Sequence, residues 1–94
     1  MNTLLLGCSD NDLKTAADLL RQGEVVAIPT ETVYGLAANA YDDTAVRKVF
    51  AAKGRPCDNP LIVHISNLDM IKDIAADFPD IAKRCADEFW PGPL

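Results

Sequence analysis

One histidine and three cysteines leave little material for a metal centre in this 94-residue chain. Cys8, Cys57 and Cys85 stand far apart and form no C-x-x-C. A zinc ribbon and a thioredoxin-type redox pair are therefore unsupported, and a structural metal is not expected. Scattered, odd-numbered thiols read as reduced cysteines of a cytoplasmic protein. The five glycines are dispersed as well, with neither G-x-x-x-x-G-K-[ST] nor G-x-G-x-x-G among them. Any nucleotide must then be held by something other than a P-loop or a Rossmann turn. No G-x-S-x-G elbow or paired-carboxylate signature occurs. No apolar run approaches the roughly 18–20 residues of a membrane span. Leu4-Leu5-Leu6 lacks the length and basic flank of a secretory signal core. Positive charge is scarce: nine Lys/Arg face fourteen Asp/Glu, for a net charge of −5. That balance counts against a duplex nucleic-acid binder.

What is present is a well-populated apolar pattern, 49% of residues, which excludes intrinsic disorder. Ser9 or Asp10 can cap a helix carrying Leu13, Ala16, Ala17 and Leu20 at helical spacing, and Gly23 supplies its stop. Val25-Val26-Ala27-Ile28 reads as a short buried strand, followed by a polar stretch and the small-residue segment 36–40. Asp42 and Asp43 suit the start of a second helix with Ala45, Val46, Val49, Phe50 and Ala52 on one face, ended by Gly54. Leu61-Ile62-Val63-His64-Ile65 reads as another strand. Ser66 with Asp69 resembles a capping box for a helix through Met70, Ile71 and Ile74. Pro79 at a first helical position begins a last helix with Ile81, Ala82, Cys85 and Phe89. Strands alternating with helices predict an α/β layer architecture.

Two polar loops adjoin the strands. In the first, Pro29-Thr30-Glu31-Thr32-Val33-Tyr34-Gly35-Leu36, an extended chain would set the hydroxyls of Thr30, Thr32 and Tyr34 on one side. Ligands of open α/β sheets bind at such a carboxyl-terminal rim. The plainer alternative is that Thr and Tyr suit β structure between two turn residues. The second loop is Lys53-Gly54-Arg55-Pro56-Cys57-Asp58-Asn59-Pro60. Residues 41–60 carry a local charge of +1, whereas the other 74 carry −6. A guanidinium fork and an ammonium within an acidic chain make a candidate grip for phosphate or carboxylate. Arg47 and Lys48 read instead as cations solvated near a helix carboxyl end, an alternative that stands equally for Lys53 and Arg55. His64, near the end of its expected strand, is either a hydrogen-bonded core residue or a member of the same rim.

Taken together, Pro29–Leu36, the Lys53-Gly54-Arg55-Pro56 segment with Asn59-Pro60, and Leu61–Ile65 closely resemble the YrdC family in order and spacing. The resemblance runs from about Gly23 to Leu94, where Phe89-Trp90-Pro91-Gly92-Pro93-Leu94 is similar to the family's Trp-Pro-Gly-Pro segment. It implies an open, twisted, mixed sheet flanked by helices, of which residues 1–94 would be the amino-terminal portion of a single domain. The family reaction condenses L-threonine, bicarbonate and ATP into threonylcarbamoyl-AMP and pyrophosphate, for threonylcarbamoyladenosine (t6A) in tRNA. Carried onto this chain, the resemblance implies that Thr32 and His64 contact L-threonine, with Tyr34 in the wall of that cavity. It implies that Arg55 and Asn59 contact ATP, while Lys53 helps hold the phosphates or carbonate. Lys53 and Arg55 would thus be the catalytic charges, with Mg²⁺ accompanying ATP. Further ATP- and threonine-binding residues are expected beyond Leu94, so an inactive fragment stands as one alternative. Others are a carbamoyl-transfer relative of the YciO or HypF type and a double-stranded RNA-binding module. Expected partners are tRNA or double-stranded RNA and other tRNA-modification proteins, with no membrane.

Overall fold

The computed structural model describes residues 2–54 and 60–94. The chain forms two compact units, Met1–Leu61 and Ile62–Leu94. In the first, helix α1 (Asp10–Arg21) leads to strand β1 (Val26–Ile28), strand β2 (Gly35–Ala37) and helix α2 (Asp43–Lys53). The second holds a 3₁₀ turn (Leu68–Met70), helix α3 (Ile71–Ile74) and helix α4 (Asp80–Phe89).

The ends of α1 follow from its sequence. The Ser9 side chain accepts from the Asp12 amide at 3.2 Å, and Asp12 in turn accepts from the Gly7 amide at 2.8 Å. These bonds satisfy donors that the first turn leaves without helical partners. At the other end Gly23, at φ 86°, closes the helix with Gly23 N–H donating to Leu20 O and Glu24 N–H to Leu19 O. That pair of bonds is a Schellman motif, which needs a left-handed residue where glycine stands. The chain turns directly into β1, and α1 packs beside that strand.

β1 and β2 are antiparallel, with Val26 opposite Ala37, Ala27 opposite Leu36 and Ile28 opposite Gly35. The α/β expectation holds as a mixed α/β fold with a small antiparallel sheet. The small-residue segment after the first polar loop supplies the second strand, so that loop is the tip of a hairpin. By contrast, the strand expected at Leu61–Ile65 does not form. Strands exist through their ladder bonds, and this segment pairs with no neighbour among the described residues. Its Ile62 side chain is 87% exposed.

Asp42 caps α2, accepting from the Ala45 amide at 3.1 Å, and Gly54 at φ 67° ends it. Ala45, Val49 and Phe50 are buried, the stripe that the spacing predicts. Val46 is half-buried, whereas Ala52 is exposed. The capping box expected of Ser66 and Asp69 is absent. Asn67 stands at the amino-terminal boundary without a side-chain bond, and Ser66 N–H and Oγ–H both donate to the Met70 sulfur. A short 3₁₀ turn and a four-residue helix result, rather than one continuous helix. On α4 the buried contribution comes from Ala86, while Ile81 and Phe89 are exposed and Ala82 and Cys85 are half-buried. Pro79 precedes that helix at its capping position.

Candidate functional site

The site begins where β1 ends. Pro29 has no amide proton, so the β ladder cannot continue through a donor at that position. The Thr30 side chain takes over: its hydroxyl donates to the Val33 carbonyl and accepts from the Thr32 amide at 3.3 Å. The backbone bends at Glu31, Thr32 and Val33 before entering β2. This overturns the extended arrangement in which Thr30, Thr32 and Tyr34 share one side. A threonine hydroxyl bonded to its own backbone competes with strand geometry and favours a turn. Glu31, Thr32, Val33 and Tyr34 are all exposed, Val33 and Tyr34 at 74% each. The outcome is a polar, pinned hairpin tip with Thr32 and Tyr34 accessible.

Lys53 is the last residue of α2, exposed and directly before the left-handed Gly54. Its position at the negative end of the helix dipole favours the ammonium there. Arg55 and Asn59, expected at an ATP site, lie outside the described residues, as does Cys57. His64 is exposed and belongs to the second unit, outside any strand. Thr32 and Tyr34 thus share one loop, and Lys53 belongs to the same compact unit.

Lys48 departs from the solvated role its sequence position predicts. Its ammonium donates to the Gly23 carbonyl at 2.9 Å and lies 3.5 Å from a Glu24 carboxylate oxygen. Gly23 is buried, and a Cβ built on it would lie 2.9 Å from Asp42 Oδ2. The turn after α1 is thereby tied to α2 through Lys48, and Asp42 leaves room only for a glycine beside it. No local signal marks this tie, because the partners are 25 positions apart. Among the described residues no group of three or more His, Cys, Asp or Glu side chains converges as metal ligands. Nor is any helix among them long and apolar enough to cross a membrane.

Comparison with known proteins gives this geometry a context. The Sua5_yciO_yrdC family, described as telomere recombination, matches residues 18–94. The threonylcarbamoyl-AMP synthase of Bacillus subtilis is 53% identical over 89 residues, covering 95% of this chain and 26% of its own length. That of Pyrococcus abyssi is 52% identical over 82 residues, covering 87% of this chain and 24% of its own. The crystal structure of P. abyssi Sua5 complexed with L-threonine superposes with a TM-score of 0.92 at 46% identity. That match covers 98% of this chain and 28% of the P. abyssi chain. The chain therefore spans about a quarter of the length of these two curated relatives. With the family pattern matched across most of its length, and the fold with it, the chain belongs to the Sua5/YciO/YrdC family.

Proposed function

We propose that this chain supplies part of a threonylcarbamoyl-AMP synthase site, in which L-threonine, bicarbonate and ATP yield threonylcarbamoyl-AMP, pyrophosphate and water. The observation that carries the reading is the likeness, over 98% of the chain, to a protein solved with L-threonine. The exposed, hydroxyl-bearing hairpin tip agrees with it, as a surface suited to a small hydroxylated amino acid. In this reading Thr32 and His64 contact L-threonine, and Tyr34 lines the same cavity. Donors left unpaired by a substrate without the hydroxyl would give discrimination against it.

Carboxylation of the threonine amine by bicarbonate gives a carbamate, whose oxygen attacks the α-phosphorus of ATP as pyrophosphate leaves. Neither step needs a nucleophile from the protein. Two anions must be brought together and the charge on the departing pyrophosphate neutralised. Lys53 and Arg55 are suited to that work, Arg55 through a planar fork and Lys53 as a point charge. Asn59 completes the ATP contacts. Mg²⁺ would accompany ATP, bound through the phosphate oxygens. Bound there, it would supply charge neutralisation. The product would serve t6A formation in tRNA, in the cytoplasm.

The test is pyrophosphate release from ATP by the full-length protein, with L-threonine and bicarbonate each omitted in turn. Release that requires both supports the reading. Release that requires carbamoyl phosphate instead would move the protein to the carbamoyl-transfer branch.

A further inference from the structure

We infer that Thr30 is a positioning residue for L-threonine recognition, its hydroxyl holding the hairpin tip in the shape that presents Thr32. The inference rests on the reading that Thr32 meets L-threonine. A hydroxyl carries one proton and two lone pairs. Thr30 gives the proton to the Val33 carbonyl and spends a lone pair on the Thr32 amide. The hydroxyl's only proton is committed to its own loop, so Thr30 could donate to substrate only by giving up the Val33 carbonyl. Its methyl group works at the base of the same loop. A Cβ built on Gly35 would lie 3.4 Å from Thr30 Cγ2, so this side chain also borders the first residue of β2. One residue therefore reaches Thr32, Val33 and Gly35, spanning the tip from the end of β1 to the start of β2. Pro29 explains why a side chain is needed, since the ladder beyond Ile28 and Gly35 loses a backbone donor there.

Thr30→Val keeps the branched shape and removes the hydroxyl, whereas Thr30→Ser keeps the hydroxyl and removes the methyl. The two variants separate hydrogen bonding from packing. The experiment titrates L-threonine into the full-length protein and both variants by calorimetry, well below their unfolding temperatures, with Thr32→Val as the reference. Loss of one intramolecular hydrogen bond corresponds to at most about tenfold in affinity. Thr30→Val should lose about that much for L-threonine and raise its KM in step, with the KM for ATP unchanged within about twofold. Thr30→Ser should stay within about threefold of the unsubstituted protein. A purely structural role would lower the concentration of folded sites and leave the affinity of each untouched. Normal affinity in Thr30→Val, with Thr32→Val impaired, overturns the positioning role alone. Normal affinity in both, or no L-threonine binding by the unsubstituted protein, overturns the threonine reading and the positioning role with it.

Discussion

The Lys48 ammonium donates a hydrogen bond to the Gly23 carbonyl at 2.9 Å, joining the middle of α2 to the turn that launches β1. The hairpin tip leaves this joined unit from β1, and Lys53 stands at the end of α2 in the same unit. The bond is charge-assisted, and the Lys48 side chain keeps 43% of its surface exposed. Hydration of the freed ammonium therefore offsets part of what its removal costs.

Lys48→Met, which keeps an apolar stem of similar reach, should destabilise the fold by about 1 kcal/mol. Lys48→Arg should recover part of that loss, because a guanidinium N–H can still reach a carbonyl. Urea unfolding of the three proteins, compared at equal slope, reads the difference.

Gly23→Ala should cost more. Left-handed backbone carries about 1–2 kcal/mol for an L-residue, and the new methyl would also meet Asp42 Oδ2 at 2.9 Å. That oxygen belongs to a short side chain already held by its bond to the Ala45 amide, so it has little room to withdraw. The same urea experiment measures the loss, and a fall below about 0.5 kcal/mol would contradict it.

Asp42→Ala should remove the α2 cap at a cost of about 1 kcal/mol, with Asp42→Asn close to the unsubstituted protein. Because Asp42 also borders Gly23, the Gly23→Ala, Asp42→Ala double variant should lose less than the two single losses together. Strict additivity would show that the two residues act independently.

Lys53→Ala and Arg55→Ala should each lower threonine-dependent pyrophosphate release by about 100-fold, the scale of a preorganised charge on a developing anion. Arg55→Lys should not restore it, since an ammonium lacks the two-pronged geometry. Unchanged turnover in both alanine variants would remove these residues from the mechanism.

Much of the first unit is legible in the sequence because its signals are local. Ser9 and Asp42 announce helix starts, Gly23 and Gly54 announce stops, and the Ala45-Val49-Phe50 stripe announces the buried face of α2. Gly35–Ala37 is not announced, since a three-residue strand is made by its partner, here Val26–Ile28. The reverse error at Leu61–Ile65 has the same cause. Its β-branched residues fit a pleated surface, but fit without a paired neighbour makes no ladder. Ser66 shows how a local signal can be outcompeted: its hydroxyl and amide both point at the Met70 sulfur. In the candidate site, the motif identifies Thr32 and Tyr34, while the hydrogen bonds that bend the loop around them become visible only in three dimensions.

A sheet of two strands has an outer edge on each of them. Along those edges the backbone donors and acceptors pair with no other strand among the described residues, and a further strand, within a longer polypeptide or from another molecule, could join there. Three residues per strand keep that template short, which limits adventitious pairing. The same brevity makes the hairpin a poor sheet by itself, because two strands are marginal in water without more to pair with or pack on. The rigidity of the tip is therefore coupled to what joins the sheet. A strand added beside β1 or β2 would stiffen the loop without touching Thr32.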